Sequence, residues 1–350
     1  MTQLTTAPTP TPPPVRRPLL TPIPDSPGDF LLVIDNSSLE KFTTCPKSAE
    51  FYLVDEREAQ LRNSALVFGG ALHAGLEKLL TGHSDEVQNL AIANHFAIHP
   101  SPADYRTVEI ALEVMHHYRT HSQFPGYEME VLSDEKGLLV ERPFELPLGV
   151  IPVDDIIQMP WALPAGEGLF VKSIHVAWSG RIDCICNTHS LNRVLDHKTT
   201  SIMGDTFSQD FQLSNQVLGY IWAAQQLWPQ HNVTGFCVNA IYLKKPPVSG
   251  YGSSLMSAGP RGGKPSLEFH RFYYDYSPDR IQWWAQNCLT IIGDFIHSLV
   301  RNFFTSHTKN CMGKYGRCQY HDICSLDDPS MQRSILSSDI YRPVTWNPVA

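Results

Sequence analysis

The strongest constraint on how this chain folds is a pair of short apolar runs that carry charged residues inside them. The runs are SGRIDCICN over 179–187 and NRVLDHKTT over 192–200, and a few polar residues separate them. This spacing predicts a β-hairpin. Because side chains alternate across a strand, Asp196 and Lys198 share one face, and pairing of the two strands brings Asp183 close to them.

Two carboxylates and a lysine in one place suit a particular chemistry. Crowded carboxylates repel each other unless a cation neutralises them, and Mg²⁺ or Mn²⁺ prefers such oxygen ligands. A neighbouring lysine can hold or deprotonate a water molecule and stabilise charge on a phosphate. Hydrolysis of a phosphodiester needs these parts. We therefore predict a metal site at Asp183 and Asp196 with Lys198 handling the water, although a D-x-K tripeptide on an ordinary protein surface is also common.

The remaining sequence patterns predict an α/β fold in which a central mixed sheet is flanked by helices. The predicted helices begin near Ser37 or Ser38 and cover about 65–80, 104–121, 209–228 and 278–304. The predicted strands, beside the hairpin, cover 137–148, 236–243 and 267–276, the first of them interrupted by Pro143. The Gly/Ser/Pro-rich stretch 246–266 is predicted to be a long loop.

The domain prediction follows from composition. Residues 1–28 are rich in Pro and Thr and are predicted to be a flexible leader, 29–328 to be the folded domain, and 329–350 to be a tail. No stretch approaches the roughly 20 apolar residues of a membrane helix, and the N-terminus lacks the apolar core of a secretory signal. We therefore expect a soluble, cytoplasmic protein without a membrane partner.

The charge of the chain permits nucleic-acid binding without arguing for it. The net charge is −8, which is unfavourable for contact with phosphates. Between residues 241 and 317, however, ten basic residues face four acidic ones. Local patches determine phosphate contact, but a scattered set of surface lysines and arginines explains this balance equally well.

Eight cysteines in a chain of this size indicate metal or redox chemistry more than a disulfide framework. Four of them lie in apolar runs and are predicted to be core residues: Cys184, Cys186, Cys237 and Cys288. The other four lie beside polar or turn-forming residues: Cys45, Cys311, Cys318 and Cys324. The two groups are therefore expected to have different roles.

Five separated motifs resemble the PD-(D/E)XK nucleases. The similarity is to their RecB-like branch, which includes iron–sulfur exonucleases of the AddB and CRISPR-associated kinds. In chain order the motifs are SSLEKFTTCP, with Ser37 or Ser38, Phe42, Cys45 and Pro46; FGGALHAGLE, with His73; VERPFELPL, with Glu141 or, less well, Glu145; GRID followed by VLDHKT; and the helix from Gln216 to Tyr220. The resemblance runs from about Ser37 to Cys324.

This resemblance implies a restriction-endonuclease-like core and a metal-dependent DNA nuclease, an exonuclease acting on single strands or duplex ends. His73 would join Asp183 and Asp196 as a metal ligand, and the backbone carbonyl of His197 could add another. Glu141 would contact the metal or a metal-bound water. Gln216 and Tyr220 are implied to orient Lys198 or to contact the DNA backbone, and Gln212 is expected on the same helix face.

The resemblance also implies that the cysteines near the two ends of the chain bind a [4Fe–4S] cluster. The spacing CMGKYGRCQYHDIC is C-x6-C-x5-C, whereas the family more often has C-x2-C-x5-C. The implied ligands are Cys45, Cys311, Cys318 and Cys324, which would join the N- and C-terminal segments of the domain. A structural Zn²⁺ site remains open, as does replacement of one cysteine by His321.

Two other functions also remain open. One is a catalytically inactive nucleic-acid-binding or scaffolding protein with a structural iron–sulfur or zinc site, and the other is a zinc protein with no role on nucleic acid. The complete Asp/Asp/Lys set favours a working nuclease over both. No stretch matches the nucleotide-binding motif G-x-x-x-x-G-K-[ST], so any unwinding of DNA would need a helicase or recombination partner.

Overall fold

The computed structural model describes residues 18–60, 63–157, 168–244, 266–313 and 316–344. The chain divides into two compact units. We call Ala59–Leu148 with Trp178–Gly293 the central unit, and Met1–Glu58 with Gly149–Ala177 and Asp294–Ala350 the terminal unit. The domain boundaries proposed at residues 28 and 328 stay a prediction.

The strands of the described residues, numbered in chain order, vary from two to twenty residues. They are β1 Thr21–Pro22, β2 Asp29–Ile34, β3 Arg57–Ala59, β4 Glu130–Val131, β5 Ser133–Asp134, β6 Gly137–Leu138, β7 Val140–Ile157, β8 Leu169–Thr188, β9 Leu191–Thr200, β10 Gly235–Leu243, β11 Leu267–Asp275, β12 Met312–Gly313, β13 Gly316–Arg317 and β14 Tyr341–Pro343.

The α-helices fall between and after these strands. They are α1 Asn36–Thr44, α2 Pro46–Ala49, α3 Ser64–Leu80, α4 Asp85–Ile98, α5 Val108–His121, α6 Asp205–Gln212, α7 Asn215–Leu227, α8 Pro278–Val300, α9 His321–Cys324 and α10 Pro329–Leu336. A π-helical turn over Glu50–Val54 continues α2.

A mixed sheet forms the middle of the central unit. Strands β8 and β9 pair antiparallel with Asn187 opposite Asn192, which confirms the predicted hairpin. Strand β9 pairs parallel with β10, and β10 pairs antiparallel with β11. Every residue of β10 except Tyr242 is buried, which is why its sequence is an almost continuous apolar run.

Helices pack on this sheet and complete its core. Helices α3, α4 and α5 contribute a cluster that meets the end of β10, formed by residues such as Phe68, Leu72, Leu76, Ile92, Met115, Tyr118, Ile241 and Leu243. Helix α7 packs closely against β8 and α8 at Gly219. A methyl group there would lie 2.7 Å from the Trp284 ring of α8 and 2.8 Å from the Trp178 ring of β8. The predicted mixed α/β fold, with a central sheet flanked by helices, is confirmed.

The terminal unit contains the first and last described segments of the chain. Strand β1 pairs antiparallel with β2, and Leu19 and Leu20 are buried, so this part of the predicted leader is folded. The Lys47 amide donates to the Thr305 carbonyl at 3.0 Å, and the Tyr320 hydroxyl donates to the Arg57 carbonyl. These contacts connect segments that lie about 260 residues apart in the chain.

Several predicted boundaries are wrong, each for a local reason. The stretch predicted as one helix over 209–228 is two helices, because α6 ends at Gln212 and α7 starts after Ser214. Helix α1 is capped by the Asp35 side chain, which accepts from the Ser38 amide, rather than by a serine. Helix α4 was not predicted, because only Gln88 and Ile92 of its fourteen residues are buried and it lacks an apolar stripe.

Three further boundaries differ as well. Helix α5 begins at Val108, because Thr107 caps it, and α8 ends at Val300 rather than near 304. Strand β7 extends to Ile157, beyond the predicted end at 148. The predicted loop over 246–266 lies almost wholly outside the described residues. Among the residues that are described, no helix is long and apolar enough to cross a membrane.

Candidate active site

The hairpin of the central unit holds the two predicted aspartates side by side. Cys184 pairs with Leu195 across the hairpin, so the same register sets Asp183 against Asp196. Both side chains are nearly buried, at 8% and 1% exposure. The Asp183 carboxylate accepts from the His197 amide at 2.9 Å, which fixes its position on the sheet.

Lys198 and Gln216 both hold Asp196. The Lys198 ammonium lies 2.8 Å from Oδ2 of Asp196, and the Gln216 amide donates to Oδ1 at 3.2 Å. Burial raises the pKa of Asp196, while the positive charge of Lys198 acts in the opposite direction. The lysine keeps 29% of its side chain exposed and can therefore meet a substrate from solvent.

Helix α3 brings His73 to the same hairpin. Its Nδ1 lies 3.2 Å from Oδ2 of Asp183, and its Nε2 lies 2.7 Å from the His197 carbonyl. The glycine of the G-x-x-x-H motif allows this approach: a methyl group at Gly69 would lie only 3.1 Å from the Thr199 hydroxyl. The His197 carbonyl, which we predicted as an extra metal ligand, accepts a hydrogen bond from His73 here.

Glu141 completes the group from strand β7. Its φ is +49°, in the left-handed region that non-glycine residues rarely occupy, and such strain costs roughly 1–3 kcal/mol. Val140, the preceding residue, is buried in the core with Cys184 and Leu195. Val140 therefore faces the core, and the next residue, Glu141, lies with Asp183 and His73.

His73, Glu141 and Asp183 form a set of metal ligands. Their ligand atoms all lie within 4.8 Å of one another. Burial, and after it the charge of Asp183, raises the pKa of Glu141 to about 7. The Arg181 guanidinium is 3.8 Å from Glu141 and only partly offsets this repulsion. Carboxylates crowded beside an imidazole fit a divalent cation that neutralises them.

Gln212 does not share a helix face with Gln216, while the role predicted for Tyr220 stays a prediction. Tyr220 is 9% exposed and its ring meets the Phe144 ring edge-on, with the ring centroids 5.7 Å apart. Gln212 belongs to α6, so it does not share a helix face with Gln216 on α7. The predicted row of three polar groups along one helix is therefore wrong. Glu145 is exposed and lies outside the cluster.

Asn239 and its neighbours surround His197, and sequence reasoning did not single them out. The Asn239 amide lies 2.7 Å from Nδ1 of His197, whose pKa burial lowers to about 3, so that the ring is neutral. Arg271 and Tyr127 hold the other end of this amide. The sequence could have indicated Asn239, because it is the single polar residue in the apolar run FCVNAIYL.

The four cysteines predicted to bind a cluster lie together in the terminal unit: Cys45, Cys311, Cys318 and Cys324. Burial, followed by the neighbouring thiols of Cys318, Cys45 and Cys311, raises the pKa of Cys324 to about 11. Burial likewise raises the pKa of Cys318. A cavity of about 380 Å³ opens beside Cys45 and Cys318. The thiol is a poor ligand until it loses its proton, so these sulfurs suit a metal that displaces protons.

The segments that carry these cysteines are fixed to one another by backbone contacts. The Cys318 amide donates to the Cys311 carbonyl at 2.9 Å, and His307 lies 3.0 Å from the Thr44 carbonyl next to Cys45. His321 directs its Nδ1 to Arg317 at 2.9 Å, so it accepts a hydrogen bond there. The other four cysteines, Cys184, Cys186, Cys237 and Cys288, are buried core residues as predicted.

Comparison with known proteins identifies the family. The profile of the PD-(D/E)XK nuclease superfamily matches residues 36–325. The chain belongs to this superfamily. Among solved structures, the chain is similar to a protein from Eubacterium rectale described as a "putative exonuclease", with 9% identity and a TM-score of 0.46. That match covers 88% of this chain and 93% of the other. A search of curated proteins finds no match.

Membership in the PD-(D/E)XK nuclease superfamily makes a divalent metal the expected cofactor. The donor set of His73, Glu141 and Asp183 fits such an ion by its chemistry and by its 4.8 Å spread. The superfamily is one of nucleases, and the predicted family is confirmed.

Proposed function

We propose that this protein is a metal-dependent DNA exonuclease. The observation that carries the proposal is the close grouping of His73, Glu141 and Asp183 beside the paired Asp196 and Lys198. The residue types, their burial and their superfamily all agree with hydrolysis of a phosphodiester bond. A scaffolding protein would have no need to keep carboxylates this close together.

His73, Glu141 and Asp183 would hold the metal ion, and Asp196 would complete the acidic face. A bound Mg²⁺ or Mn²⁺ would supply a Lewis acid and make a coordinated water more acidic. Both aspartates are oriented before any ligand arrives, Asp183 by the His197 amide and Asp196 by Gln216. A nitrogen ligand such as His73 favours good activity with Mn²⁺.

Lys198 would orient the attacking water and stabilise negative charge on the phosphate. Its ammonium is held by Asp196 and remains partly exposed, so it can donate to an oxygen atom of the substrate. Asp196 holds the lysine ammonium in place. A cation in this position acts on the charge that develops during hydrolysis, which is where electrostatic stabilisation is largest.

The four cysteines Cys45, Cys311, Cys318 and Cys324 would bind a [4Fe–4S] cluster. The other three cysteines lie close enough to Cys324 to raise its pKa, which supports one ligand shared by all four. The cavity beside Cys45 supplies space for that ligand. Four thiolates also suit Zn²⁺. Anaerobic purification with iron, sulfide and zinc analysis distinguishes the two: brown protein with four irons supports the cluster, and colourless protein with one zinc contradicts it.

A nuclease assay tests the enzymatic proposal. Linear and circular single-stranded DNA of one sequence, linear duplex DNA, and RNA are each incubated with Mn²⁺, Mg²⁺ or EDTA. We expect metal-dependent loss of linear DNA and survival of the circle, because an exonuclease needs an end. Cleavage of the circle would contradict exonuclease action, and no cleavage in any metal would favour a binding protein.

The same assay tests whether a partner is needed. An enzyme that degrades linear single strands but leaves blunt duplexes intact would require a helicase or recombination partner to unwind its substrate. An enzyme that degrades both would not require one.

A further inference from the structure

A buried asparagine lies directly behind the proposed metal site. Asn239 occupies the middle of β10 and is fully buried. The register of the sheet sets it opposite His197 on β9 and opposite Arg271 on β11. Three polar side chains therefore stand in a row across three neighbouring strands. A buried polar row costs free energy unless its members satisfy one another.

The contacts of Asn239 satisfy its side chain completely. Its Nδ2 lies 2.7 Å from Nδ1 of His197 and 2.7 Å from the Tyr118 hydroxyl. Its Oδ1 accepts from the Tyr127 hydroxyl at 2.7 Å and from Nε of Arg271 at 3.4 Å. An asparagine amide has two donor hydrogens and one carbonyl, and here every one of these groups has a partner.

Arg271 determines which way the amide faces. A guanidinium only donates hydrogen bonds, so the end of Asn239 next to Arg271 must be its carbonyl oxygen. The NH₂ end then faces His197, and Nδ1 of that ring must accept. His197 is therefore held as the neutral tautomer that carries its proton on Nε2, an atom buried without a hydrogen-bond partner among the described residues.

The backbone of the same histidine holds two of the proposed metal ligands. The His197 amide donates to Asp183 at 2.9 Å, and the His197 carbonyl lies 2.7 Å from Nε2 of His73. A shift of the His197 main chain would move both contacts at once. Groups that orient metal ligands in this way commonly change metal affinity by roughly 10- to 100-fold when they are lost.

We propose that Asn239 is a positioning residue for the metal site: its amide locks the His197 ring and thereby fixes the backbone groups that orient His73 and Asp183. This inference rests on the proposed metal site. It assigns no chemical step to Asn239, which contacts neither the metal ligands nor the substrate. Its effect should therefore appear in metal binding itself, without DNA and without turnover.

Mn²⁺ titration of the full-length protein, followed by electron paramagnetic resonance of the free ion, tests the proposal. Asn239→Leu should weaken Mn²⁺ binding about tenfold. Tyr118→Phe is the matched control, because it removes a partner from the same buried amide without touching the bond to His197. It should lower stability and leave Mn²⁺ affinity unchanged. Equal affinities for Asn239→Leu and wild type, or equal weakening by both variants, would overturn the proposal.

A second pair of variants tests the route through His197. His197→Asn keeps an acceptor near the position of Nδ1, and His197→Leu removes it. The first should bind Mn²⁺ within about threefold of wild type, and the second about tenfold more weakly. The double variant His197→Leu with Asn239→Leu should be no weaker than either single variant, since both break the same bond. Additive weakening would overturn the shared route.

One measurement needs no variant at Asn239. In ¹⁵N-histidine spectra of the wild-type protein, the signal that disappears in His197→Asn should show an unprotonated, hydrogen-bonded Nδ1 and a protonated Nε2. A protonated Nδ1 would overturn the proposal. Mn²⁺ binding that survives Asp183→Asn would instead overturn the proposed metal site, and this inference with it.

Discussion

In the central unit the proposed metal ligands come from a helix and two strands, and hydrogen bonds hold Asp183 and the neighbouring Asp196. In the terminal unit the four cysteines lie at helix ends and turns, and their segments are held by backbone contacts. Cys45 follows the last residue of α1, and Cys324 is the last residue of α9. Carboxylates crowd together at the first site, whereas cysteine thiols line the second.

This difference indicates what each metal would do. Neutralising Glu141, Asp183 and Asp196 relieves a cost that the folded protein already carries, so the ion serves chemistry more than folding. The cysteine site holds four thiols rather than crowded carboxylates. A metal there adds a cross-link between segments that lie far apart in the chain, so it serves stability.

The largest effect should come from the catalytic group. Asp196→Asn or Lys198→Ala should reduce DNA cleavage by roughly a hundredfold to a thousandfold, because each removes charge that acts on the reacting phosphate. Folding should be preserved, since neither side chain supports the apolar core. Initial rates on end-labelled DNA in Mn²⁺, with circular dichroism for folding, measure this.

Lys136→Ala is the control for that prediction, because Lys136 is an exposed lysine of the same unit. It should cleave at the wild-type rate. Wild-type cleavage by Asp196→Asn would remove the assignment of the site.

The next effect should appear in stability. Cys324→Ser should lose the bound metal and melt about 5 °C or more below the wild type, because metal-binding energy is partly folding energy. Asp183→Ala should behave oppositely in EDTA, with an equal or higher midpoint. Thermal melts of both variants, with iron and zinc analysis, test the comparison.

Cys288→Ser separates loss of a thiol from loss of the metal. Cys288 is buried in α8 and outside the cysteine group, so this variant should keep its iron or zinc even if it melts earlier. If Cys324→Ser melts like the wild type and Asp183→Ala unfolds, the structural and catalytic sites are assigned the wrong way round.

A smaller effect should depend on pH. The pKa of Glu141 is raised to about 7, so between pH 4.5 and 7 the folded, metal-free protein binds more protons than the unfolded chain. Its free energy of unfolding therefore falls as pH rises through this window. Glu141→Gln abolishes that loss and should stabilise the metal-free protein by about 2 kcal/mol at pH 8, but little at pH 4.5.

Denaturant melts in EDTA at both pH values check this prediction. Glu145→Gln is the matched control, because Glu145 lies on the same strand and is exposed. It should change stability equally at the two pH values. The same pattern for both variants would mean that Glu141 has no special environment.

Much of the fold and the grouping of the site was predictable from the sequence. Strand alternation and a short polar link are local properties, and they indicate how Asp183, Asp196 and Lys198 meet. His73 and Glu141 could not be placed by such periodicity; only the resemblance to a family brought them in. The four cysteines were separated from the core cysteines by their neighbours in sequence.

What the sequence did not predict depends on tertiary contacts. The φ of +49° at Glu141 is unfavourable locally, so no sequence pattern indicates it. In the sequence, Asn239 is an isolated polar residue. Only the alignment of three strands shows that it lies opposite His197 and Arg271. Helix α4 has almost no buried face, so its pattern carries little signal.

The smallest expected effect concerns the break between α6 and α7. The sequence suggested one helix with Gln212 and Gln216 on one face, whereas the structure gives only Gln216 a contact with Asp196, at 3.2 Å. Gln216→Leu should therefore slow DNA cleavage by about tenfold, near the low end of the cost of one lost hydrogen bond to a charged group. Gln212→Leu should leave the rate unchanged, because this side chain is exposed on the preceding helix. Cleavage rates of the two variants at saturating Mn²⁺ decide the matter: equal slowing would favour a continuous helix face over the break between residues 212 and 215.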